Sequence, residues 1–162
     1  MNATYDQLKV LYRTLLVFAT AGVVILAIGL IQFAYFEPLG QSTGAEAKIA
    51  GVYVYNGDTG EVEGPDRSEF PRNVEFAAVV DWSSLPPNIT VDARWYDSFG
   101  TLRGAVGPGT PSSLADESIV PVLVPQGYRY VLPGRYTFVI ERLQRDLPVE
   151  VLGRRFVRVD RS

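Results

Sequence analysis

The apolar pattern of the chain changes character twice. From Thr14 to Phe36 it is continuous: TLLVFATAGVVILAIGLIQFAYF, 23 residues without a charge. At about 1.5 Å per residue this length crosses the hydrocarbon core of a bilayer, so it predicts a transmembrane helix over residues 14–36. Tyr12 at one boundary and Tyr35 and Phe36 at the other suit the headgroup level, where amphipathic rings collect. Residues 37–47, EPLGQSTGAEA, carry no period and read as a polar linker. From Lys48 the pattern alternates. Val74, Phe76, Ala78, Val80 and Trp82 share one face, Val91, Ala93 and Trp95 another, and Tyr136, Phe138 and Ile140 a third. A period of two marks half-buried strands.

Further strands are expected at residues 48–55, 101–105, 118–124 and 154–160, with Pro121 placing the third of these at an edge or a bulge. Turn residues separate them, at Asn56-Gly57-Asp58, Leu85-Pro86-Pro87-Asn88, Ser98-Phe99-Gly100, Gly107-Pro108-Gly109 and Pro133-Gly134. About seven short strands without a long amphipathic helix predict an all-β antiparallel sandwich over residues 48–162, behind a short N-terminal stretch at 1–13, the helix and the linker.

Charge orients the predicted helix. Lys9 and Arg13 precede it, and no Lys or Arg follows until Lys48. The positive flank places the N-terminus in the cytoplasm and the C-terminal domain in the periplasm of a bacterial inner membrane. Ala45-Glu46-Ala47 resembles a signal cleavage site, but the apolar stretch is too long for a signal peptide and the site lies too far beyond it. The chain has no Cys and no His, which removes disulfides, thiolate chemistry, the commonest metal ligand and the usual general base. A net charge of −3 argues against nucleic acid as a partner.

Leu132-Pro133-Gly134-Arg135-Tyr136-Thr137-Phe138 resembles the entrance to strand F of fibronectin type III-like and other immunoglobulin-like domains, where the Tyr forms a corner, and Trp95 resembles their core Trp. The resemblance is architectural and covers roughly residues 47–160. It implies a fold used widely for contacts, without the bridging cysteine pair of antibody domains.

Four groups of residues carry candidate chemistry. Asp58, Glu61, Glu63 and Asp66 offer oxygen ligands for Ca²⁺, although their spacing matches no calcium loop; a solvated acidic hairpin is the plainer account. Asn88-Ile89-Thr90 matches a glycosylation acceptor within what reads as a turn. Asp81, Asp92 and Asp97 are the acids available for carboxylate-only catalysis, yet no pocket is visible for them and no enzyme is expected. Ala19, Gly22, Leu26, Gly29 and Phe33 recur at three and four residues, and such a small-residue face suits packing against another membrane helix.

In an immunoglobulin-like sandwich the first strand starts at the same end as two loops, which here hold Leu85, Pro86 and Pro87 and Arg145, Leu147 and Pro148. These are expected to face the membrane or a partner in it. The function expected is therefore a non-catalytic accessory subunit of a larger integral-membrane complex. By analogy of layout the hosts are photosynthetic reaction-centre and light-harvesting complexes or respiratory complexes. Its partners would be other membrane subunits and lipid, with neither a cofactor nor a small-molecule substrate. The alternative is a membrane-anchored module that recognises an extracytoplasmic protein, glycan or wall component through residues 56–72 and 104–118.

Overall fold

The computed structural model of the chain describes residues 9–10, 12–24 and 42–161. It divides into two compact units, Met1–Pro38 and Leu39–Ser162. In the first, residues 9–10 and 12–24 are helical. Thr14 and Thr20 turn their hydroxyls back to the Val10 and Leu16 carbonyls, so the helix surface that remains is almost wholly apolar and exposed. This corrects the expected transmembrane helix preceding the sandwich: among the described residues no helix is long and apolar enough to cross a membrane. The described helical residues reach position 24 of the predicted span, and residues 25–36 lie outside the described residues. Of the proposed packing face, Ala19 and Gly22 lie on the described helix, while Leu26, Gly29 and Phe33 fall outside the described residues.

Among its described residues the second unit is a two-sheet β-sandwich with nine strands rather than about seven. A four-stranded sheet has the order β2-β1-β4-β7, from Glu61–Glu63, Lys48–Asn56, Phe76–Asp81 and Ile119–Pro121. A five-stranded sheet has the order β3-β9-β8-β5-β6, from Glu69–Phe70, Leu147–Val159, Gly134–Gln144, Thr90–Tyr96 and Leu102–Gly109. All pairings are antiparallel except β3 with β9. The two additional strands, β2 and β3, are three and two residues long, too short for any period to show. Pro121 ends β7 at the edge of its sheet, where a missing donor costs least.

Alternation fills the space between the sheets. Phe76, Ala78, Val80 and Val120 from one sheet meet Val91, Ala93, Trp95, Tyr136, Phe138 and Ile140 from the other. Phe76 lies at the centre, stacked on Phe70 at 4.7 Å and edge-on to Trp95 at 5.5 Å and Tyr136 at 5.7 Å. Trp95 also packs on Phe138 at 4.9 Å, and its indole N–H donates to the Val120 carbonyl of the opposite sheet at 2.8 Å. The Tyr136 hydroxyl donates to the Leu132 carbonyl at 2.9 Å, closing the corner before β8. Asp66 joins the sheets at their open side, accepting from the Val52 N–H at 2.7 Å and from Arg155 at 2.7 Å.

Trp95→Ala should remove about 3–5 kcal/mol of stability, since it opens a large cavity and strands the Val120 carbonyl. Tyr136→Phe should cost about 1 kcal/mol, the value of one hydrogen bond. Urea unfolding followed by circular dichroism measures both; equal effects would contradict the packing described.

Candidate functional site

Two places in the sandwich carry more polar or exposed chemistry than the fold itself requires. The first is the end where the chain joins it. Here the short 3-10 helix Trp82–Ser84, the loop to β5, the loop after β6 and the β8–β9 hairpin come together. Arg145 and Asp146 both have positive φ, 54° and 63°, as the two central residues of a type I′ hairpin turn require. That turn leaves Leu147 67% exposed.

The residues before β1 are fixed along β9. Glu150 accepts from the Thr43 N–H at 2.6 Å, the Thr43 hydroxyl at 2.9 Å and Arg142 Nε at 2.8 Å. Burial pushes the Glu150 carboxyl up, but these Arg142 and Thr43 bonds outweigh it and hold it below the usual range. Ala47 N–H then donates to the Leu152 carbonyl at 2.8 Å, and Lys48 N–H to the Ser84 hydroxyl at 3.0 Å. A Cβ at Gly153 would stand 3.1 Å from the Ala47 carbonyl oxygen, so glycine lets the two segments approach. Beside them lies a groove of about 540 Å³, with Val80, Trp82, Leu85, Pro87 and Pro111 among its walls.

The second place is the middle of the five-stranded sheet, on the face of β5 and β8 turned away from the aromatic core. Asp92 of β5 stands opposite Glu141 of β8, and they are 1% and 2% exposed. Arg94 pairs with Asp92 Oδ2, whereas Oδ1 accepts no hydrogen bond. Burial raises the Asp92 carboxyl above its usual range against the pull of Arg94. Burial, reinforced by the charge of Asp92, pushes Glu141 up to about 7, opposed by Arg94 and Arg154. Gly107, at φ 97°, makes the bulge of β6 over this point possible: a Cβ there would lie 3.1 Å from the Asp92 Cα.

The structure separates most of the residues singled out in the sequence. Asp58 lies in the β1–β2 turn, Glu61 and Glu63 are exposed on β2, and Asp66 is engaged with Val52 and Arg155. Among the described residues, no group of three or more metal-ligating side chains forms. Asp81 accepts from Ser83 and pairs with Lys48 where the chain joins the sandwich. Asp97 lies at the other end of β5, taking the Phe99 and Thr101 N–H groups and Arg103, so that burial is outweighed and its carboxyl is held low. The three aspartates therefore do not converge. Asn88 remains exposed in the loop before β5.

Leu85, Pro86, Pro87, Arg145, Leu147 and Pro148 do gather at one end. Leu85, however, is buried in the core, and the other five form the surface there. Thr43, Glu141 and Glu150 were not legible as site residues, because what joins them to their partners is strand register and not spacing along the chain. No protein-family model matches the chain, and no curated protein matches it significantly.

Glu150→Ala should free the segment before β1. The loss of charge-assisted bonds should cost about 2 kcal/mol and speed hydrogen exchange at the Thr43 amide. In the wild type the same release should follow acidification. A carboxyl held low in the fold adds stability above its unfolded value of 4.5, and that stability is lost as pH falls through the folded value. Unchanged exchange at Thr43 in the variant would refute the anchoring role.

Proposed function

We propose that this chain is a non-catalytic accessory subunit of a larger bacterial assembly at the cytoplasmic membrane, with its sandwich on the periplasmic side. The observation that carries the reading is the end where the chain joins the sandwich. One surface there combines a segment pinned by Glu150, an apolar-walled groove and an exposed hairpin tip at Leu147. A domain that recognises mobile ligands gains little from a fixed attachment; a domain that holds a defined position beside other subunits needs one. The apolar helix surface at residues 12–24 supports attachment to partner subunits or to lipid, since Leu15, Leu16, Val17 and Phe18 are all exposed on it.

The sandwich resembles the immunoglobulin-like superfamily in more than its Tyr136 and Trp95. The order β1-β4-β7 against β9-β8-β5-β6, inside the short edge strands β2 and β3, and the Tyr136 hydroxyl bonded four residues upstream both support this reading, since the superfamily pairs strands A, B and E against G, F and C and closes a tyrosine corner. That family use favours contact over chemistry. A photosynthetic or respiratory complex is the host class this layout suits.

A second reading, an extracytoplasmic recognition module, is favoured by the opposite end. Phe99 is 91% exposed at the β5–β6 turn, and the guanidinium groups of Arg72 and Arg129 lie over the Tyr130 ring, 5.6 Å and 5.4 Å from its centre. Site-specific photocrosslinking in the native membrane separates the two. A photoreactive residue at Leu147 should capture an integral-membrane subunit, and one at Phe99 should not. Capture from Phe99 with none from Leu147 would support the recognition module instead.

A further inference from the structure

The pairing of Asp92 with Glu141 has no structural necessity. A half-exposed sheet face can place carboxylates toward water, yet here two stand directly opposite each other in the ladder and both are buried. Directly opposed strand residues have Cβ atoms about 5 Å apart, and like charges there are destabilising. In a site shielded from water the repulsion is stronger, and two such carboxyls relieve it by keeping a proton.

The charged groups facing the pair are few. β5 supplies Arg94, which meets Asp92 and is itself hydrogen-bonded to Tyr96. β9 supplies Arg154, whose charge acts on Glu141. Of the other β8 side chains on this face Thr137, Val139 and Leu143 are uncharged, while Arg135 stands at the far end of the strand over Phe156 and opposite Arg158 of β9, which pairs with Asp160. β6 brings Gly107 and Pro108 beside Asp92, and its Arg103 is committed to Asp97. Arg94 does not remove the need for a proton, because it is shared with Tyr96 and the Asp92 Oδ1 atom remains without a donor.

We propose that Asp92 and Glu141 hold one proton between them and that its release switches the charge of this sheet face. With the proton bound, a single carboxylate stands against the Arg94 and Arg154 guanidiniums and the cluster is positive. Without it, two carboxylates match two guanidiniums and the cluster is neutral. The change falls near neutrality, because Glu141 is pushed up to about 7 by burial and by Asp92. Acidification of the compartment that holds the domain would thus add one positive charge to this face, and neutral pH would remove it. Stability follows the same proton. Between the unfolded value of 4.5 and about 7 the fold keeps a proton that the unfolded chain has lost, so stability falls as pH rises through this window and is level above it.

Carboxyl ¹³C NMR of the full chain, labelled at Asp and Glu, tests this. The wild type should show a step near pH 7, sensed by one Glu and one Asp signal together, as coupled groups report each other's titration. Glu141→Gln should abolish that step, and it should flatten the fall in melting temperature between about pH 5 and pH 7. Asp92→Asn should move the remaining Glu141 step lower, since the opposing charge is gone. A wild-type spectrum with no carboxyl step above about pH 6, or a step that survives unmoved in both variants, overturns the proposal. Where neither variant folds, the wild-type titration alone decides, by the presence or absence of the joint Asp and Glu step.

Discussion

The indole N–H of Trp95 reaches across the core to the Val120 carbonyl, and the mutual position of the two sheets depends on that bond. The sheets share no strand. Apolar contact draws them together without fixing how far one slides over the other, because the hydrophobic effect has no direction. A buried donor that must find an acceptor does have direction, and leaving it unmade costs more than making it gains. Around this bond the rings of Phe70, Phe76, Tyr136 and Phe138 fill the space in edge-on and stacked contacts. At Gly104 the absence of a side chain lets β6 approach the Pro121 carbonyl, one residue from the acceptor. The short strand β7 is thus held from both sides, by β4 through its ladder and by Trp95 through its backbone.

This dependence explains what could be read from the sequence. Alternation at Phe76 to Trp82, at Val91 to Trp95 and at Tyr136 to Ile140 carries the central strands, because burial on one face selects every second residue. The edge at Pro121 was legible for a chemical reason, the missing donor. The short strands β2 and β3 were not, since two or three residues establish no period. The start of β9 was missed as well. Pro148 sits in it, opposite Leu143, in a stretch that reads as loop until the hairpin turn at Arg145 and Asp146 is known. The continuous apolar run before residue 37 is a different case. Hydropathy measures length and composition, whereas among the described residues no helix is long and apolar enough to cross a membrane.

The sites divide along the same line. Leu147 and the prolines near it could be placed at one end by strand topology alone. The carboxyl pair could not: Asp92 and Glu141 are 49 positions apart, and each alone looks like an outward-facing acid on an alternating strand. Only the register of β5 on β8 opposes them, and the bulge at Gly107 brings β6 close against Asp92. Glu150 is similar, an acid whose neighbours in sequence are apolar and whose bonding partners are Arg142 across the hairpin and Thr43 far upstream.

The placement of residues 42–47 along β9 also bears on self-association. β9 is 13 residues long, and on the side away from β8 only Arg158 and Val159 are covered by β3. Between them and the hairpin the backbone would present free donors and acceptors, the template on which strands of other molecules add. Ala47 occupies the Leu152 carbonyl and the chain leading to it lies alongside, so the segment works as a guard for this edge. A chain cut back to the first residue of β1 would keep every ladder between its strands and all of its core but Ala47, and would lose its protection against pairing edge to edge with its neighbours.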